Sequence, residues 1–166
     1  MTARLANLLG FLACVGLLGY ALYAQYVLHL TPCPLCIFQR VGVFGTGVVF
    51  MLAAIHGPGP RGRRIYAALL ALPVLATMGV AVRQLYIQSL PPGSVPSCGA
   101  PLEMMLKFMS PGEVLSKVLS GSGECAKVDW RLLGLAMPAW VLIAVAALGG
   151  FGIWANTRRD QPSLRF

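Results

Sequence analysis

Four long runs of apolar residues, nearly empty of charge, limit this chain's folding options more than any other feature. Leu5 to Leu28 has no charged residue, and neither has Leu132 to Ala155. Pro34 to Ile55 contains one charge, Arg40; Ile65 to Val82 is uncharged and extends to Ser89 past Arg83. A helix crossing the hydrocarbon core of a bilayer needs roughly 20 apolar residues, so each run is long enough. Composition agrees: the 166 residues are 57% hydrophobic and 11% charged, against about 45–50% and about 25% in ordinary soluble domains. A soluble fold of this size has too much surface to hide that much apolar material. Pro73 and Pro138 fall inside two of the runs, where neighbouring membrane helices can re-satisfy the freed carbonyls.

The expected fold is an all-α membrane protein, a four-helix transmembrane up-down bundle forming one domain over 1–166. Spans are predicted at about 5–28, 34–55, 65–88 and 132–155, with outer segments at 29–33 and 89–131 and inner segments at 1–4, 56–64 and 156–166. The first run is expected to be a retained span: it exceeds the roughly 7–15 apolar residues of a signal peptide and no A-x-A site follows it.

Basic residues orient such a bundle. One side carries Arg4, Arg61, Arg63, Arg64, Arg158, Arg159 and Arg165 against the single acid Asp160. The other carries Lys107, Lys117, Lys127 and Arg131, balanced by Glu103, Glu113, Glu124 and Asp129. The first side is therefore predicted to be cytoplasmic, with both termini on it. The net charge of +8 is then mainly a topology signal. It makes a weak case for nucleic acid, because the arginines lie in short tails and one turn. Tyr20, Tyr23, Tyr26, Tyr86 and Trp130 are expected at the outer interface, and Tyr66 and Trp154 at the inner one, the depths that amphipathic rings favour.

In this frame four cysteines face outward: Cys33 and Cys36 in the first outer segment, Cys98 and Cys125 in the second. Cys14 lies within a span and reads as a small packing residue. Thiols in an oxidising compartment form disulfides. Zinc is the weaker reading, since the chain has one CxxC and two isolated cysteines rather than paired CxxC motifs. Two structural disulfides bracing the outer segments are the more serious alternative. Local context favours redox chemistry. Pro34 suits the first position of a helix, which makes Cys33 its N-cap and Cys36 its third residue. The free amides and positive dipole end then face the Cys36 sulfur and suit a thiolate there, the form in which a thiol leaves well.

Arg40 follows one helical turn below Cys36 on the same face. It is either an interface anchor that snorkels or a fixed cation beneath a thiolate or a reduced oxygen. Arg83 is open to the same two readings. In the second outer segment, "LPPGSVPSCGAP" around Cys98 is rich in proline and glycine and predicted extended, a form that a partner's groove takes as a strand. "PGEVLSKVLSGSGEC" predicts a short amphipathic helix with Val114, Leu115, Val118 and Leu119 on one face, lying apolar side down on the membrane. It would hold Cys125 near Cys33.

These residues resemble the disulfide bond formation protein B (DsbB) family of bacterial inner-membrane thiol oxidases. The likeness covers most of the chain. It rests on the four spans, the CxxC that opens span two with arginine four residues after its second cysteine, the cysteine pair in the second outer segment, "SGECA" at Cys125, and "LGLAMPAW" from Leu133 to Trp140. The resemblance implies redox-active disulfides Cys33–Cys36 and Cys98–Cys125. A DsbA-like periplasmic thiol oxidase would be reoxidised through a mixed disulfide at Cys98. Cys125 would then attack Cys33, and Cys36 would be released as a thiolate that reduces a membrane quinone, ubiquinone or menaquinone. Arg40 matches the family's quinone-site arginine. Gln84 stands where the family often has histidine, so an amide would replace the imidazole in the quinone site; His29 and His56 do not substitute for it. A quinone is the fitting acceptor, because a partner of that class is itself oxidising, at about −120 mV, with each ~30 mV worth about 1.4 kcal/mol for two electrons. Two rivals remain. One is a vitamin K epoxide reductase-like enzyme, in which the loop pair precedes the CxxC. The other is a non-enzymatic membrane scaffold or sensor with structural disulfides, against which the Cys36–Arg40 spacing speaks.

Overall fold

The computed structural model describes residues 2–91, 107–120, 123–126, 128 and 130–158. Cys98 and the proline-rich stretch around it lie outside the described residues. Four helices are long and apolar enough to cross a membrane, so the chain is an all-α, multi-pass membrane protein. They are α1 (Ala3–Tyr26), α2 (Pro34–His56), α3 (Pro60–Ser89) and α6 (Met137–Thr157). Between α3 and α6 lie α4 (Pro111–Ser120), α5 (Gly123–Ala126) and two short strands, β1 (Arg131–Leu132) and β2 (Leu135–Ala136).

Each long helix starts on a recognisable signal. The Thr2 hydroxyl accepts from the Leu5 amide at 3.3 Å to cap α1. Pro34, Pro60 and Pro138 occupy the first turns of α2, α3 and α6, where a missing N–H leaves no hydrogen bond unmade. Helix α2 ends on Gly57 in the left-handed region, at φ 52°, a conformation in which glycine has no side chain to clash. Pro73 is accommodated inside α3.

The bundle core consists of Cys14, Val43, Phe50, Leu70, Val74 and Val145. Small residues let the helices approach, as is usual where lipid removes the hydrophobic drive between them. A Cβ added to Gly42 would run into Thr77 of α3, and one added to Gly152 would meet Phe50 and Leu70. Large apolar side chains such as Val41, Phe44, Leu72 and Leu75 point outward, towards lipid. Asn7 and Asn156 clasp α1 to α6 with reciprocal amide bonds of 3.0 and 2.8 Å. Both are buried, so each satisfies the other where water is excluded.

At the opposite end the structure departs from two expectations. Helix α6 begins at Met137, five residues after Leu132. The intervening residues form an antiparallel hairpin pairing Arg131 with Ala136 and Leu132 with Leu135. Its two-residue turn places Leu133 at φ 51° and Gly134 at φ 80°, the backbone that such hairpins require, and the Trp140 indole N–H donates to the Leu132 carbonyl at 3.2 Å. An apolar stretch that starts by pairing with itself thus turns into a helix only at the Met137–Pro138 start. The second departure is α4. Its Val114 and Val118 do not face lipid but are buried in a cluster with Cys33, Leu35, Ile87 and Cys125. Burial against protein satisfies the same apolar stripe that was expected to lie on the bilayer, and it brings α5, which carries Cys125, onto the start of α2.

Candidate functional site

The site begins with a helix start. Cys33 has extended backbone, φ −69° and ψ 161°, and caps α2 with its side chain, the sulfur accepting from the Cys36 amide at 3.4 Å. Pro34 fixes the next residue into the helix, and the first turn then carries Cys36 back over its own N-terminus. Both residues are thiols, and the Cys33 Sγ–H donates to Cys36 Sγ across 3.0 Å. Cys33 is also hydrogen-bonded to Cys125. One buried sulfur therefore touches both its CxxC partner and a cysteine from the distant segment. The bond to Cys125, then that to Cys36 and then burial, push the Cys33 thiol well above the ordinary range, so Cys33 is the sulfur that retains its proton.

Gln84, from α3, binds the same two sulfurs. Its Nε2 donates to Cys36 Sγ at 3.3 Å and to Cys33 Sγ at 3.4 Å. Its Oε1 accepts from Gln39 Nε2 at 2.8 Å and faces the Cys36 sulfur at 3.7 Å. Both glutamines are 3% exposed. An amide offers two N–H donors and one acceptor oxygen, so the capacity of Gln84 is filled within the protein. An N–H donor held on a sulfur stabilises that sulfur as an anion. Gln39, which the sequence reading passed over, is what keeps the Gln84 amide facing the cysteines. Its only sequence signal is a polar residue inside an apolar run, one turn after the CxxC.

Arg40 lies in the same site but not against sulfur. Its guanidinium donates to Gln25 Oε1 and, at 3.0 Å, to the Ala21 carbonyl, both on α1. Among the described residues its hydrogen bonds all go to α1. Arg83 is elsewhere, 5.3 Å from the centroid of the Tyr86 ring. His56 pairs with Tyr66 at the far end of the bundle, and Cys14 is buried in the core.

A cavity of about 260 Å³ joins these groups. Cys33, Cys36, Arg40, Gln84 and Gln88 are all on its wall. The rest of the lining is mainly apolar and comes from α1, α2 and α6 and from the segment that carries Trp130. Tyr20 and Trp130, expected only as interfacial rings, pack edge to face at 6.3 Å and form part of this wall. A mostly apolar cavity with a few convergent polar groups is the usual form of a small-molecule site. This one suits a flat, neutral ring with oxygen substituents: the walls match the ring and Arg40 supplies a cation. The Cys36 sulfur lies on the same wall.

Comparison with known proteins gives a consistent result. The profile of the family described as disulfide bond formation protein DsbB matches residues 3–155. A disulfide bond formation protein B from Chromobacterium violaceum is 46% identical over 165 residues, covering 97% of this chain and 99% of its own. One from Methylococcus capsulatus is 47% identical, covering 95% and 98%. One from Xanthomonas campestris pv. campestris is 43% identical, covering 98% and 95%.

Proposed function

The chain belongs to the disulfide bond formation protein DsbB family, and from that premise we propose that it is a membrane thiol:quinone oxidoreductase that reoxidises a DsbA-like dithiol oxidase and so sustains disulfide formation in the periplasm. In this reading the chain is one transmembrane domain of the bacterial inner membrane with both termini cytoplasmic, and its four outer cysteines are catalytic. The observation that carries the reading is the position of Cys33. Its sulfur is in hydrogen-bond contact with both Cys36 and Cys125, as the middle member of a relay must be.

The steps follow from thiol–disulfide exchange, in which a thiolate attacks one sulfur of a disulfide and expels the other. A thiolate of the reduced partner attacks Cys98 of the Cys98–Cys125 disulfide; the partner–Cys98 bond forms and Cys125 leaves as thiolate. Cys125 attacks Cys33 of the Cys33–Cys36 disulfide, forming Cys33–Cys125 and expelling Cys36 as thiolate. The partner's second thiolate releases the oxidised partner from Cys98. Cys98 then attacks Cys125, restoring Cys98–Cys125 and returning Cys33 as a thiol. The net change to this point is one disulfide gained by the partner and one lost from Cys33–Cys36. Gln84 holds the expelled Cys36 sulfur with an N–H bond, and the α2 N-terminus adds its amides. When bound in the cavity, ubiquinone or menaquinone supplies the two-electron acceptor whose reduction allows Cys33–Cys36 to re-form. Arg40, fixed by Gln25 and Ala21, places positive charge on the wall where negative charge gathers.

The test mixes the purified protein with a reduced periplasmic dithiol oxidase and a soluble short-chain quinone while quinone absorbance is followed. Intact protein should consume quinone as the partner is oxidised, and Cys36→Ser should abolish consumption. No quinone loss with intact protein, or full activity in Cys36→Ser, would overturn the reading.

A further inference from the structure

Arg40 is held by neutral partners. Its guanidinium donates to Gln25 Oε1 through one terminal nitrogen and to the Ala21 carbonyl, at 3.0 Å, through the other. Residues 21 and 25 are one turn apart on the same face of α1, so that helix presents two acceptor oxygens side by side. Arg40 lines the cavity, whereas Gln25, half-buried, is not among the lining residues. Gln25 therefore acts on the cavity only through the guanidinium. Among the described residues, Arg40 is also the one charged side chain on the wall.

A cation within an apolar interior is commonly met by a carboxylate, because a desolvated charge is costly unless paired. A carboxylate at position 25 would grip the guanidinium with charge-assisted bonds and cancel most of its field in the cavity. An amide oxygen accepts from the same guanidinium but carries no net charge, so the field survives. We infer that Gln25 is a positioning residue that tethers Arg40 without neutralising it, so that the cavity keeps an open positive charge and takes a ring bearing negative charge better than a neutral one. This rests on the quinone reading of the cavity. In that reading the ring is neutral on arrival and gathers negative charge only as electrons reach it. An open cation then favours the reduction more than the arrival, which is the difference that raises a rate.

The experiment measures binding, with no electron transfer. Protein with both disulfides oxidised is titrated by calorimetry at neutral pH with menadione, a neutral ring, and with lawsone, a ring of similar size that is ionised at that pH. Intact protein should bind lawsone more tightly than menadione. Gln25→Glu keeps the acceptor and adds a charge, and it should shrink that preference roughly tenfold. Gln25→Leu removes the tether without adding charge, and it should keep most of the preference. Thermal midpoints in detergent show whether each variant is folded, and the preference of the intact protein needs no variant. If Gln25 only braced α1 against α2, Gln25→Glu would bind both rings as the intact protein does. That result, or equal binding of the two rings by the intact protein, would overturn the role of Gln25 and leave the quinone reading standing. Intact protein that binds neither ring would overturn the quinone reading itself, and this inference with it.

Discussion

A single amide, Gln84, touches both sulfurs of the CxxC, and its orientation depends on a second, Gln39. The consequence is testable. Gln84→Leu keeps the volume and removes the N–H donor, and a hydrogen bond to a charged group is worth about 1.5–3 kcal/mol. The rate at which iodoacetamide alkylates Cys36 in the reduced protein at neutral pH should fall roughly tenfold; Gln39→Leu should reduce it less, because it frees the Gln84 amide to rotate without deleting it. An unchanged rate in Gln84→Leu would show that the α2 N-terminus alone supports the anion. The cysteines, the proline between them and Arg40 were legible in the sequence because their spacing is local and helical. The contact between Gln84 and sulfur was not, since it joins residues 48 apart in the chain. The partners of Arg40 were hidden for the same reason: helical spacing placed it under Cys36, while packing turned it to α1.

Among the elements, α4 has the most specific local chemistry. Ser110 precedes its first residue, and both the Ser110 amide and hydroxyl donate to Glu113 Oε2, at 3.0 and 2.8 Å. The bond from the Ser110 amide is the glutamate half of a capping box, and the hydroxyl ties the same carboxylate to the cap residue. These bonds, the backbone one first, hold the Glu113 carboxyl below the usual carboxylate range. A depressed folded-state value means the cap contributes fully above the unfolded pKa of about 4.3 and is lost as pH falls through the lower folded value. Protection factors of the first-turn amides of α4, taken against the intrinsic slowing of exchange in acid, should therefore fall on acidification. Glu113→Gln should be looser at neutral pH and lack that added acid response; equal responses in the two proteins would refute the assignment. The helix itself was readable from its apolar spacing, but what covers its apolar face was not. A stripe of valines fits lipid or protein equally, and only the fold puts α2 and α3 beneath it. The hairpin before α6 was hidden too, because "LLGLA" is as apolar as the helix it precedes and Leu133 is an unusual residue for a left-handed turn position.

For the whole molecule, composition and charge did most of the work. Four spans follow from hydropathy alone, and the proposed sidedness rests on seven arginines against one acid on one side of the bundle. The proposed orientation predicts opposite labelling at two positions. Phe108 is 80% exposed near the outer end, and Arg61 is exposed in the first turn of α3 at the inner end. With a membrane-impermeant maleimide on intact cells, Phe108→Cys should be modified and Arg61→Cys protected until the membrane is opened. The reverse pattern would invert the bundle and place the cysteines in a reducing compartment. The cluster of Val114 and Val118 over Cys33 has a further meaning at this scale. A sulfur roofed by valines is shut off from small hydrophilic thiols dissolved on the aqueous side, while Cys125, carried under the same roof, is already in contact with it. The cover thus works as insulation on a wire: in the proposed relay, reducing equivalents pass to Cys33 from Cys125 beneath the valines, and Cys33 is shielded on that side from the surrounding pool.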